Sequence, residues 1–187
     1  MTRPIRWTVG LLVSCLGGQL ITAQLNAQPG GVAEMALAIT SPAFAHNTKM
    51  PKPYTCEGSE ISPPLAWTDP PAGTKSFALI NDDPDAPVGT WVHWVIYNIP
   101  ATSRSLPENV PNTDTLDDGT TQGLNDFRRV GYGGPCPPPG SPHRYFFKLY
   151  ALDTALELPP KATKAQVERA IEGHGLAQAQ LIGLYQR

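Results

Sequence analysis

The chain has 187 residues, a 41% hydrophobic share, a 16% charged share and a formal net charge of −2. That is enough for one domain with a sizeable core, and too apolar for a disordered chain. No Lys/Arg cluster is available to neutralise a run of phosphates, which sets nucleic-acid binding aside, and 21 prolines with 17 glycines argue against a helical bundle.

At the N-terminus, Arg3 and Arg6 precede an apolar run from Trp7 through Val13 that continues less purely to Ile21, followed by small residues at Ala23 and Ala27. Residues 1–27 read as a secretion signal, too short and too interrupted by glycine to span a bilayer. A second reading takes Leu12-Val13-Ser14-Cys15 as a lipoprotein box that ends the leader before Cys15 and acylates it. Simple secretion is favoured, because the apolar core ahead of Cys15 is very short. The expected location is periplasmic or secreted, with membrane contact only through a lipid anchor at Cys15. Residues 28–35 form a linker and 36–187 a single domain.

Within that domain Leu37–Thr40 predicts a first strand, and the tract Ile61–Trp67 a proline-stiffened edge leading into another. Ser76–Asn81, Thr90–Ile99 and His143–Leu152 are apolar runs of strand length rich in β-branched and aromatic residues. Between them, Pro100–Gly131 is polar and aperiodic, with Asp117-Asp118-Gly119 as a turn signal, and is expected to wrap the domain. Thr163 and Gln166 have capping-box spacing and open a short helix through Ile171. A second helical piece is expected near Gly175, with Leu181–Tyr185 returning to a sheet. Strands dominate and helices gather at the C-terminal end, which predicts a mainly β sandwich with peripheral helices.

Removing the leader leaves Cys56 and Cys136, which permit one intramolecular disulfide in an oxidising compartment. Neither has a neighbouring Cys or His at zinc-site spacing, so no metal is expected from this pair.

Two stretches carry the chemistry. The first is Asp83-Pro84-Asp85-Ala86-Pro87, leading to Trp91, His93 and Trp94; the second is the proline-packed loop Gly133–Pro142, which ends in His143-Arg144-Tyr145. Residues two apart on a strand share a face. That groups Trp91, His93, Val95 and Tyr97, and separately His143, Tyr145, Phe147 and Leu149, with Arg144 pointing away. If both histidine faces look into one pocket, it holds imidazoles, a phenol and an indole, and no lysine or arginine from these strands. Asp83 is expected to accept backbone hydrogen bonds or meet a ligand, and Asp85 to contact ligand or histidine. A carboxylate beside an imidazole would fix its tautomer and raise its pKa, giving a pocket that switches charge near neutral pH.

These motifs, with ISPPLAW at Ile61–Trp67, NDF at Asn125–Phe127 and GYGG at Gly131–Gly134, resemble the phosphatidylethanolamine-binding protein family, and most of all its bacterial Raf-kinase-inhibitor-like branch. The resemblance covers essentially all of the chain after the leader. It implies a β-sandwich with peripheral helices and a small pocket for phosphate, phosphoryl head groups or similar anions. The implied ligand-binding residues are Asp83, Asp85, Pro87, Trp91, His93, Pro137, Pro138, His143 and Tyr145, with no cofactor and no metal. Similar secreted members carry both cysteines, in agreement with a Cys56–Cys136 bridge. Two departures stand out: Glu60 replaces a more usual Asn, and Arg128-Arg129 replaces a Gly-containing stretch.

The favoured reading is a non-enzymatic binding protein for a small anionic or phosphorylated ligand. The alternative is a protein-interaction module that inhibits a protease or modulates a signalling protein through its surface loops. A two-histidine, one-carboxylate metal enzyme on Asp85, His93 and His143 is the least favoured, since the chain offers no activated serine elbow and no paired-metal spacing.

Overall fold

A computed structural model describes residues 36–187; the expected leader, the linker and Cys15 lie outside the described residues. The domain is organised around β4 (Ser76–Asp83), which is buried along its whole length because both of its faces are covered. It pairs antiparallel with β5 (Trp91–Pro100) on one side and β8 (His143–Leu152) on the other. Outside β8 runs β9 (Gly175–Tyr185), followed by the short parallel β2 (Thr48–Lys49); outside β5 lies β7 (Thr121–Gln122). A second, three-stranded sheet of β1 (Ile39–Thr40), β3 (Leu65–Trp67) and β6 (Ser105–Leu106) is arranged in the order β1-β3-β6.

The larger core lies between the two sheets, where Ile39, Leu65, Trp67 and Leu106 meet Phe77, Leu79, Ile96, Phe147 and Leu149. On the outer face of the six-stranded sheet, Ala78, Ile80, Val95 and Tyr97 pack with Ala162 and Val167, the latter from α1 (Lys164–Ile171). The capping box at α1 is complete: the Thr163 side chain accepts from Gln166 N, and the Gln166 side chain accepts from Thr163 N. A single turn of 3₁₀ helix at Lys52–Tyr54 is the other helical piece among the described residues.

The sandwich is therefore mainly β with one short α-helix. The second helix expected near Gly175 is strand, and the physical reason is visible in its burial. Ala179, Leu181 and Tyr185 are buried at every second position against β8, so cross-strand packing overrides the helix preference of Ala and Gln. The polar Pro100–Gly131 stretch contributes β6 and β7 and is pinned from within. Gln122 donates to the Pro111 and Thr113 carbonyls and accepts from Trp94 Nε1.

Candidate functional site

Three strand ends meet at one edge of the six-stranded sheet: Asp83 closes β4, Trp91 and His93 open β5, and His143 and Tyr145 open β8. They line a cavity of about 210 Å³ together with Ala86, Pro87, Val88, Phe127, Cys136, Pro137 and Pro138. That volume suits a tetrahedral oxyanion and a few further atoms, and falls below the roughly 300–1,000 Å³ of pockets for drug-sized ligands.

The β5 side is shaped by a bulge. Asn81 and Asp82 are consecutive on β4 but face Trp94 and Val92, which leaves His93 as the extra residue. His93 and Trp94 consequently both turn to the inner side. Val95 and Tyr97 pass to the outer cluster, so the expected grouping of Trp91, His93, Val95 and Tyr97 breaks after His93. Gly133 braces the bulge: its N–H donates to the His93 carbonyl at 2.9 Å, and its carbonyl lies 2.6 Å from His93 Nδ1. A Cβ at Gly133 would fall 2.6 Å from the Phe127 ring, so glycine is required for this approach. A carbonyl only accepts, so Nδ1 carries the hydrogen and Nε2 of the neutral ring is bare. Burial pushes the His93 pKa down, against the smaller opposing effects of the Gly133 carbonyl and of Asp83. His93 is thus uncharged at neutral pH, and the charge switch expected of the pocket does not lie there.

On the β8 side the alternation holds. His143 and Tyr145 face the cavity, while Arg144 points out. His143 Nδ1 is 2.8 Å from Asp83 Oδ2, and Asp83 Oδ1 accepts from Asp85 N at 2.8 Å. The carboxylate fixes the Nδ1–H tautomer and leaves Nε2 free. The Tyr145 hydroxyl is buried and makes no hydrogen bond of normal geometry among the described residues. Burial, and then the nearby Asp83 carboxylate, hold its pKa far above the ordinary phenol value, so it is a standing donor.

Asp85 does not line the cavity. Its carboxylate accepts from Arg144 N at 3.0 Å, Nε at 2.9 Å and Nη2 at 2.7 Å. The Arg144 side chain holds its pKa below the usual carboxylate value, outweighing partial burial. The expected contact with ligand or histidine is replaced by a two-pronged ion pair that ties the 83–87 loop to β8. Eight of the nine proposed ligand residues line one cavity and Asp85 stands outside it. Its carboxylate is taken up by Arg144, and among the described residues no three His, Cys, Asp or Glu side chains are grouped as a metal site.

Phe127 is a wall residue absent from the expected set. Its ring stands edge-to-face with Trp91 at 5.4 Å and with His93 at 5.4 Å, and His93 stands likewise to Tyr145 at 5.1 Å. The loop that delivers it is held by Asn125 Nδ2 donating to the Gly131 carbonyl and by Asp126 Oδ2 accepting from Val92 N at 2.7 Å. The two departures from the family pattern are partners. Arg129 lies 5.2 Å over the Phe127 ring and donates to Glu60 Oε1 at 2.6 Å, which also accepts from Gly134 N at 3.1 Å. The signal for Phe127 was the NDF motif itself.

Cys56 and Cys136 are disulfide-bonded with Cα atoms 5.4 Å apart, tethering the second loop at the residue where it forms cavity wall. By the chain-entropy relation the crosslink contributes on the order of 4–5 kcal/mol at most.

A family model described as phosphatidylethanolamine-binding protein matches residues 40–186. The UPF0098 protein of Methanothermobacter thermautotrophicus is 57% identical over 145 residues, covering 78% of this chain and 95% of that one. The UPF0098 protein of Aquifex aeolicus is 49% identical over 174 residues, covering 92% and 99%. Among solved structures, a phosphatidylethanolamine-binding protein homologue from Chlamydia trachomatis superposes with a TM-score of 0.75 at 40% identity, covering 81% of this chain and 98% of that one. YbcL of Escherichia coli, described as a new member of the mammalian PEBP family, does so with a TM-score of 0.76 at 36% identity, covering 82% and 99%. The chain belongs to the phosphatidylethanolamine-binding protein family.

Proposed function

We propose that this family member is a non-enzymatic binding protein that captures a small oxyanion, such as phosphate or a phosphoryl head group, in the cavity between the 83–93 and 133–145 segments. The observation that carries the reading is the Tyr145 hydroxyl, a buried donor near Asp83 that makes no hydrogen bond of normal geometry among the described residues, on a residue lining a cavity edged by two imidazoles. A buried donor left unpaired costs about 1–3 kcal/mol, which an anionic oxygen would recover on binding. The walls are aromatic and proline-rich, which favours a preformed site that loses little entropy on binding. Each carboxylate of the first loop is engaged by the protein, Asp83 by His143 and Asp85 by Arg144, which favours holding a ligand over attacking one. The apolar leader and the Cys56–Cys136 bridge support export to an oxidising compartment, in soluble form or anchored through Cys15.

Calorimetry with phosphate and with phosphoethanolamine, comparing wild type with His143→Ala, tests the assignment. Saturable heat in wild type that is lost in the variant is the expected outcome. Equal heats from the two proteins would sink it.

A further inference from the structure

The cavity that the oxyanion reading assigns has an unusual balance of hydrogen-bond partners. No lysine or arginine lines it. Both imidazoles spend their Nδ1–H inside the protein, on the Gly133 carbonyl and on Asp83. With neutral rings, each Nε2 is an acceptor. The Asp83 carboxylate is a further acceptor and carries negative charge. Tyr145 Oη and the Trp91 indole Nε1–H are then the side-chain donors among the residues lining the cavity, and neither carries a charge. A fully ionised oxyanion is acceptor-only, so beside those neutral donors its oxygens would meet two bare nitrogens and a carboxylate. That arrangement repels an anion unless a proton is added.

Resting on the oxyanion reading, we propose that the pocket binds its ligand together with one proton. A ligand that carries an acidic P–OH supplies the proton itself and donates it to an imidazole Nε2. A ligand without one draws the proton from solvent onto His143 Nε2, which turns the Asp83–His143 pair into a carboxylate–imidazolium pair and creates the missing cationic donor. The ligand class follows: hydrogen phosphate, phosphate monoesters and phosphonates in protonated form are accepted over fully ionised anions of the same shape.

His143 rather than His93 takes the proton because of what surrounds each ring. His143 is in contact with the Asp83 carboxylate from β4, and Asp85, on the loop after β4, adds a second negative charge at longer range. From β9, Tyr185 lies opposite in register, with its hydroxyl donating to Glu57; from β8 itself Tyr145 is a neutral phenol, and the neighbouring Arg144 turns away onto Asp85. His93, on β5, offers no charge. The Gly133–Pro142 loop brings no titratable side chain, its cysteine being disulfide-bonded, and Arg187 there donates to the Pro137 carbonyl. Opposite charge nearest the ring favours the imidazolium. His93 has a carbonyl in that place.

Inorganic sulfate and inorganic phosphate separate the possibilities, since sulfate carries no proton near neutral pH and hydrogen phosphate carries one. Titration calorimetry of the intact protein at pH 6 and pH 8, in buffers of different ionisation enthalpy, reads the proton count directly. Sulfate at pH 8 should bind with uptake of close to one proton, and its affinity should fall about tenfold per pH unit on the alkaline limb. Phosphate should bind at pH 8 with much smaller uptake and a flatter profile. His143→Gln, whose side-chain amide presents a permanent donor near the Nε2 position, should bind sulfate with no uptake and no such fall. Sulfate binding without uptake in wild type, sulfate failing to bind at pH 6 where phosphate binds, or uptake unchanged in His143→Gln would each overturn the proton coupling while leaving the oxyanion pocket standing. No binding of either anion at either pH would overturn the pocket reading and the coupling together. The wild-type proton count decides the matter even if the variant does not fold.

Discussion

Asp82 and Asp83 are consecutive residues on β4 with side chains 1% and 4% exposed, yet they face opposite sides of the sheet and meet different partners. Asp82 turns toward α1 and is gripped by two ammonium groups, Lys148 Nζ at 2.8 Å and Lys164 Nζ at 2.7 Å. Asp83 turns toward the cavity and is held by one imidazole at 2.8 Å and one backbone N–H at 2.8 Å. Equal burial of the same residue type therefore produces two kinds of site. A carboxylate paired with two permanent cations is a structural cross-link between β4, β8 and α1. A carboxylate paired with an imidazole, whose second ring nitrogen is left free, remains responsive to a ligand.

The largest expected effect breaks the structural half. Asp82→Ala leaves two ammonium groups facing a buried pocket, and removing one partner of a buried pair is strongly destabilising. Both lysines are partly exposed, at 24% and 21%, and Lys164 also has Glu168 at 3.5 Å, so the loss should sit at the low end, about 3 kcal/mol. Urea denaturation measures it. The molecules that remain folded should bind phosphate with unchanged affinity, because the cavity lies on the opposite face. Loss of binding without loss of stability would reverse the roles assigned to the two aspartates.

Asp83→Asn is the counterpart and should cost less stability, about 2 kcal/mol, because the amide oxygen can still accept from His143 while the charge is lost. Its principal effect should be on binding. Without the carboxylate the imidazolium form of His143 loses its support, so sulfate affinity at pH 6 should fall about tenfold or more, equivalent to 1.4 kcal/mol. Calorimetry at fixed pH checks this, and affinity within a factor of two of wild type would show that Asp83 is as structural as Asp82.

Which aspartate faces which side was legible only in part. Period-two alternation placed His143, Tyr145, Phe147 and Leu149 together and turned Arg144 outward, and the structure agrees, because β8 is regular over its length against β4. The same rule failed on β5 after His93, since a bulge is set by how two distant strands register and leaves no local mark in the sequence. The partner of Asp85 was hidden for a related reason. Arg144 was expected to point away from the pocket, but nothing in the local pattern says that a residue 59 positions earlier pairs with it there. The Gly175 segment was misread because its Ala and Gln residues favour helix, although their buried-exposed alternation was already present in the Ala-Gln-Ala-Gln order. The proline-rich loops, by contrast, were legible as cavity wall, because proline holds irregular backbone stiff beside the strand ends that carry the histidines.

The smallest effect separates the two histidines by pH. Burial lowers the folded-state pKa of His93 from its ordinary value of 6.5, so the unfolded chain binds a proton below that pH which the folded chain does not. Stability from this residue is therefore complete above pH 6.5 and is lost as pH falls toward the folded pKa. The loss begins below pH 6.5, with a limiting slope of about 1.4 kcal/mol per pH unit. That window lies above the range in which ordinary carboxylates titrate, and the Asp85 carboxyl, held low by Arg144, makes its contribution lower still. His93→Asn keeps a donor near the Nδ1 position for the Gly133 carbonyl and removes the titration. It should be less stable than wild type at pH 7, through lost packing against Phe127 and Tyr145, but the gap should narrow as the pH falls from 7 to 5.5. A gap that stays constant over that interval would mean that His93 takes up a proton in the folded protein as readily as in the unfolded chain. The cavity would then contain two titrating imidazoles, and the asymmetry that reserves the incoming proton for His143 would disappear.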